Sequence, residues 1–257
     1  MGSFSEGESL VTPRKIALGL GGIALLALVA IGGPMVLGKK GEGSTNTPEQ
    51  MEAQLEANPH IGDAIRAFRT HYPQEYQDYL QRVADATNGR DAAATERQGL
   101  SYMRHFLAIK LEAIASAPAA DLQQLASARL EVVRALGRSD VPSCARIVTT
   151  GYTTGDRPSA EVQALVGRVS ALEIQAAKHG ESSDKVTRGF LSDSDGQAWY
   201  ARMRLIDRQA TDQMQSGSIR SATPDAQCHA AQVQYQAATE LPAELSANAT
   251  AQLIRHR

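Results

Sequence analysis

Cys144 and Cys228 are the residues whose chemistry is easiest to weigh, since they are the only two cysteines and lie 84 positions apart. In an oxidising compartment an even count invites a disulfide. In a reducing one they are two buried thiols acting as small hydrophobes. The adjacent Cys228 and His229 lack the C-x-x-C or H-x-x-x-H spacing that zinc requires, so no metal is expected. No cofactor motif is legible either.

The most unusual local composition is 149–156, in which Thr150, Tyr152, Thr153, Thr154 and Asp156 form a candidate binding loop. Hydroxyls and a carboxylate suit a polar ligand or partner, and Tyr152 offers a face to stack on. A plain connecting loop has the same composition. It is not a phosphate loop, because Gly-Lys-Ser/Thr is missing. Asp193-Ser194-Asp195-Gly196 resembles the opening of a calcium loop, but the later ligands are absent and helix capping explains it as well.

Other reactive types point nowhere specific. His60, His71, His105, His179, His229 and His256 are scattered, and none stands beside a nucleophile in a G-x-S-x-G setting. The catalytic residues, if any exist, are unknown at this level. Tyr72, Tyr76 and Tyr79 have helical spacing and read as core or groove lining. Arg202, Arg204 and Arg208 share a helix with Asp207 and Asp212, which reads as solvated ion pairing. Asn248-Ala249-Thr250 fits a glycosylation acceptor, a pattern frequent by chance.

These residues must be carried by helices. After residue 40 there are 37 alanines, and Ala has the highest helix propensity. Apolar residues recur at steps of three and four: Ile61, Ile65, Phe68 and Tyr72; then Leu100, Met103, Leu107, Leu111 and Ile114; then Val162, Leu165, Val166, Val169 and Leu172. Thr47 with Pro48 and Gln50 forms a capping box, Pro73 opens a helix, and Gly137 is placed to stop one. A helix over Trp199, Met203, Ile206 and Ala210 follows a Ser194-x-x-Gln197 capping box. Stretch 141–154 comes closest to a strand, but Pro142 and two glycines break it. The expectation is an all-α domain of seven to nine amphipathic helices with little or no strand. A seam between halves is expected near 149–157.

Ahead of that domain lies the strongest signal. Residues 16–37 are 22 positions without a charged, amide or hydroxyl side chain, flanked by Arg14 and Lys15 and by Lys39 and Lys40. A helix of that length is about 33 Å long, enough to cross a hydrocarbon core of about 30 Å. The run is longer than the apolar region of a cleaved signal peptide and lacks a small-x-small cleavage site at its end. The chain therefore divides into a short tail (1–15), a transmembrane helix (16–38), a Gly/Ser-type tether (39–46) and the helical domain (47–257). Ala17-x-x-x-Gly21 would let two spans approach as a homodimer, although glycine is also ordinary in such spans.

A formal charge of −2 excludes binding of nucleic acid by general phosphate neutralisation. The flanking charges nearly tie, so orientation rests on the positive amino terminus, the exportable length of the domain and the cysteine pair. The large domain is expected outside the inner membrane, on the periplasmic side. The function expected is an envelope interaction, assembly or scaffolding role with a protein partner and no assignable catalysis. The alternatives are an envelope hydrolase acting on a cell-wall polymer, and a tethered ligand-sensing domain.

Overall fold

The computed structural model describes residues 47–88, 92–152, 156, 158–182 and 184–255. The expected tail, span and tether lie outside them, and with them the homodimer through the span. Among the described residues no helix is long and apolar enough to cross a membrane.

Everything described is helix or connection, and no strand occurs among those residues. Six of the helices begin where an oxygen-bearing side chain meets a free backbone N–H, at Thr47, Asp140, Ser159, Ser192, Asp207 and Thr223. Thr47 caps α1 (Pro48–Glu56) through the expected capping box. Next come α2 (Gly62–His71), α3 (Pro73–Asn88), opened by its proline, α4 (Ala92–Ile109) and the short α5 (Leu111–Ala115). Two 21-residue helices follow, α6 (Ala119–Ser139) and α8 (Ala160–Gly180), with α7 (Val141–Thr150) between them. The chain closes with α9 (Asp193–Ile206), α10 (Arg208–Ser216), a 3-10 turn at Ser218–Ser221, α11 (Pro224–Thr239) and α12 (Ala243–Arg255).

Among the described residues twelve α-helices therefore stand where seven to nine are expected, because some long apolar stripes are interrupted. The stripe from Leu100 to Ile114 breaks at Lys110, and the one from Trp199 to Ala210 breaks at Asp207. Asp207 has extended backbone and accepts from the Ala210 N–H, so it ends one helix and caps the next. The cap of α9 is Ser192, not Ser194: its hydroxyl accepts from the Asp195 N–H at 3.1 Å. The near-strand stretch is helix through Thr150, capped by Asp140.

Gly137 does not stop its helix, which runs on to Ser139. It is a point of close approach instead. A Cβ there would stand 2.6 Å from Gln232 Nε2 and 3.2 Å from the Cys228 sulfur, so the missing side chain lets α11 lie against α6.

The spine is α6 with α8. Helix α8 also packs on α2 and α5, while α6 packs on α7, α11 and α12. One hydrophobic cluster runs through the whole, from Met51 to Ile254 and past Tyr152. Its aromatic end centres on Phe68, whose ring meets Tyr72, Tyr76, Tyr79, Tyr102 and Phe106, the last at 4.7 Å between centroids. The three tyrosines expected as core or groove lining are core.

Candidate functional site

Cys144 lies in the first turns of α7 and Cys228 in those of α11, and the two are joined in a disulfide with Cα atoms 5.5 Å apart. Both are sealed from solvent. The bridge staples α7 to α11 and presents no reactive thiol.

The candidate loop is used internally wherever it is described. Tyr152 is 4% exposed and belongs to the core, so its ring does not present a stacking face. Burial pushes its hydroxyl well above the usual phenol range. Its carbonyl accepts a hydrogen bond from Arg104. The Thr150 hydroxyl donates back to the Arg146 carbonyl at 2.8 Å, and Asp156 is held by the Arg146 guanidinium. Thr153 and Thr154 lie outside the described residues.

The other sequence candidates also have structural partners. Asp193 and Asp195 stand in the first turn of α9, and Asp195 accepts from Asn248 Nδ2 at 3.4 Å. That bond places Asn248 against α9 in the middle of α12, with Thr250 fully buried, so the glycosylation pattern sits in a packed helix and not in a loop. His229 pairs with Asp207 at 2.9 Å, and His105 is exposed. Among the described residues no group of three or more His, Cys, Asp or Glu could hold a metal ion. Arg204 and Arg208 pair with Asp212, as expected of a solvated face.

What sequence reading missed is a cluster at the C-terminal ends of α2 and α8. The His71 and His179 rings stand 6.3 Å apart, edge to face, and His179 Nδ1 lies 2.7 Å from an Asp121 oxygen. Burial, then His179 and Lys178, pull the pKa of His71 down. The Tyr72 ring lies beneath the ammonium groups of Lys110 and Lys178, at 4.8 and 5.5 Å from its centroid. The Tyr72 hydroxyl donates to Glu181 at 3.0 Å, and Lys110 pairs with the same carboxylate at 2.6 Å. No local spacing announces this group, because its members come from α2, from the α4–α5 break, from α6 and from α8.

Glu181 also begins a strap that crosses α5 on its way to α9. The strap is held by its backbone. The Val186 N–H donates to the Ser116 carbonyl at 2.8 Å. The buried Arg188 guanidinium donates to the carbonyls of Ala115 and Ala117, satisfying the C-terminal end of α5. Arg255, chelated by Glu112, donates to the Arg188 and Gly189 carbonyls. On this fixed course the strap presents Val186 and Phe190, the latter 70% exposed. Ile109, 64% exposed, stands one turn before Glu112. Leu205 is the remaining large hydrophobic exposed among the described residues. Three acids nearby have partners: Glu181 pairs with Lys110, Glu112 with Arg255, and Asp121 shares a hydrogen bond with the His179 ring.

Shallow depressions lie elsewhere on the surface. One of about 630 Å³ runs along α10 beside Arg208 and Asp212, and one of about 440 Å³ lies between Gln123, Arg168, Leu172 and Thr239. Neither gathers an acid and a base around an enclosed volume. No family model, curated protein or solved structure matches the chain. Among the described residues, fold and site define an all-α domain, stapled once by a disulfide, with a few exposed apolar side chains.

Proposed function

We propose that this protein is a membrane-anchored helical interaction, assembly or scaffolding protein of the cell envelope, with its helical domain on the extracytoplasmic side. The observation that carries this reading is the Cys144–Cys228 bridge, because disulfides form and persist in oxidising compartments. The apolar run at 16–37 supports the anchor. An interaction role is supported by charged groups engaged in pairs and by the exposed apolar side chains Val186 and Phe190 on one connecting strap.

The hydrolase alternative draws nothing from these observations. The carboxyl that burial raises is Glu173, sealed in the core against Arg129 where no polymer reaches. The test is the cysteine redox state in intact cells: acid quenching, denaturation, alkylation of free thiols, then reduction and a second label. Both cysteines are expected to escape the first reagent and take the second. Full alkylation in the first step would place the domain in a reducing compartment and end the envelope reading.

A further inference from the structure

The helices fall into two groups with few connections between them. Among the described residues α1–α4 pack on one another, and their principal contact with α5–α12 is the crossing of α2 over α8, with a smaller one where α4 meets α5. The Arg104 bond to the Tyr152 carbonyl and the Tyr72 bond to Glu181 add to it. The Cys144–Cys228 staple joins α7 to α11 and does not cross this joint.

The joint has a rigid end and a titratable one. At the entry to α2 the His60 carbonyl lies so close to Gly167 that no side chain fits between them. At the far end of α2, a ten-residue helix roughly 15 Å long, the His71 and His179 rings meet 6.3 Å apart. Helix α8 is not free to follow α2, because Gly180 is pressed against the Ala113 carbonyl of α5 in the same way.

We propose that this far end is an acid-sensitive latch: below about pH 6.5 protonation of the two imidazoles drives the end of α2 from the end of α8 and loosens α1–α4 from α5–α12, with the His60–Gly167 crossing as the pivot.

The surrounding charges give the latch its sign. From α8, Lys178 stands beside the ring pair, and from α6 Asp121 meets His179 at 2.7 Å. Lys110, at the α4–α5 break, is paired with Glu181, and Glu75 of α3 acts on the neighbouring Tyr72 hydroxyl. The other charges of the packed helices are taken up elsewhere: Glu52 and Glu56 of α1 by Arg69, Asp63 by Arg66, and Glu112 of α5 by Arg255. Among the described residues no carboxylate pairs with His71. The negative ends of α2 and α8 attract a first proton, but a second must be placed edge to face with it and next to Lys178. Burial, then His179 and Lys178, accordingly hold the His71 pKa below the ordinary imidazole value. An undocked ring takes its proton first, so the contribution of this contact is present above about pH 6.5 and is lost as pH falls. In the sequence α1–α4 stand between the apolar run and the stapled body, so the latch makes the hold between those parts depend on pH.

The test is hydrogen–deuterium exchange of the full-length protein at about pH 5 and about pH 7.5, with labelling times scaled to the intrinsic exchange rate at each pH. Protection of 62–72 and 174–182 is expected to fall several-fold at the lower pH while that of α6 and α11 holds. The buried Glu173 does not imitate this, since its contribution is lost in the opposite direction, as pH rises. His71→Lys places a permanent charge at the contact and is expected to show the acid pattern already at the higher pH. His71→Gln removes the titration and is expected to stay protected at both. Unchanged protection of 62–72 in the wild type at the lower pH overturns the proposal. So does a fall that persists in His71→Gln, which assigns it to other groups, His60 included. Protection lost at both pH values in His71→Gln makes the ring a packing element and not a latch, and a fall shared equally by α6 and α11 is ordinary acid unfolding.

Discussion

Arg129→Met tests the physical account of the core most directly. Among the described ion pairs, Arg129–Glu173 is the one sealed on both sides, with both side chains 0% exposed and Arg129 Nη2 2.5 Å from Glu173 Oε1. Removing one partner of a buried pair costs about 3–5 kcal/mol, because the other charge is stranded without water. The wild-type pair is itself imperfect: Arg129 Nε and Nη1 make no well-formed hydrogen bond, although the buried Tyr235 hydroxyl lies close to the guanidinium, and each buried donor left unsatisfied costs about 1–3 kcal/mol. Arg129→Met combined with Glu173→Leu removes both the charge and the orphaned donors. That double variant is expected within about 1 kcal/mol of wild type, or above it. A pH signature accompanies the energies. Burial raises the Glu173 carboxyl from 4.5 to about 7, against the pull of Arg129. The unfolded chain ionises this group first, so its stabilising contribution is fully present below its ordinary value and is lost as pH rises through about 7. Urea unfolding of wild type, both single variants and the double variant, at about pH 5 and about pH 8, reads all of this. Arg129→Met should be more damaging at the higher pH, and the double variant should have the flatter pH profile. Small, additive effects of the two single changes would refute the buried-pair argument.

Two more perturbations separate local propensity from tertiary contact. Replacing both cysteines by serine opens a loop that spans 84 positions, worth about 4–5 kcal/mol at the upper end of the chain-entropy model. The melting temperature should fall by roughly 10–15 °C for a domain of this size, and a fall of only a degree or two would show that the bridge constrains little. Gly167→Ala sets two effects of opposite sign against each other. Helix propensity alone predicts a gain of about 1 kcal/mol, but the new Cβ would run into the His60 carbonyl where the entry to α2 crosses α8. A net loss of about 1–3 kcal/mol by denaturant titration is expected. A gain would mean that this crossing is looser than the packing implies.

Much of the helical order was legible residue by residue. Thr47 and Pro73 punctuate the chain where expected, because caps and prolines act on their own backbone neighbours. Gly137 and Ser194 misled because their signals have two physical causes. Glycine ends a helix or admits a neighbour, and a run of Ser and Asp offers several rival caps. The breaks at Lys110 and Asp207 were hidden because apolar spacing survives a short interruption.

The binding loop shows the same limit. Its hydroxyls and Tyr152 look available in sequence because nothing local says what will cover them, and the Tyr152 ring is in fact core. The cluster around His71, Tyr72, Asp121 and His179 is the converse: residues without any local signal, drawn together from separated helices.

By itself the sequence determined helix as the dominant regular structure of the described domain, a few helix starts, and the cysteine pair as a candidate bridge. Those properties depend on backbone propensity, capping and counting, all of which act over a few residues. Only the tertiary structure decided that the two sulfurs meet, that Arg129 and Glu173 are sealed together, and that Lys110 and Lys178 converge on the Tyr72 ring. Each of those depends on which helix faces cross, and crossings such as that of the α2 entry over Gly167 are set by contacts between residues far apart in the chain.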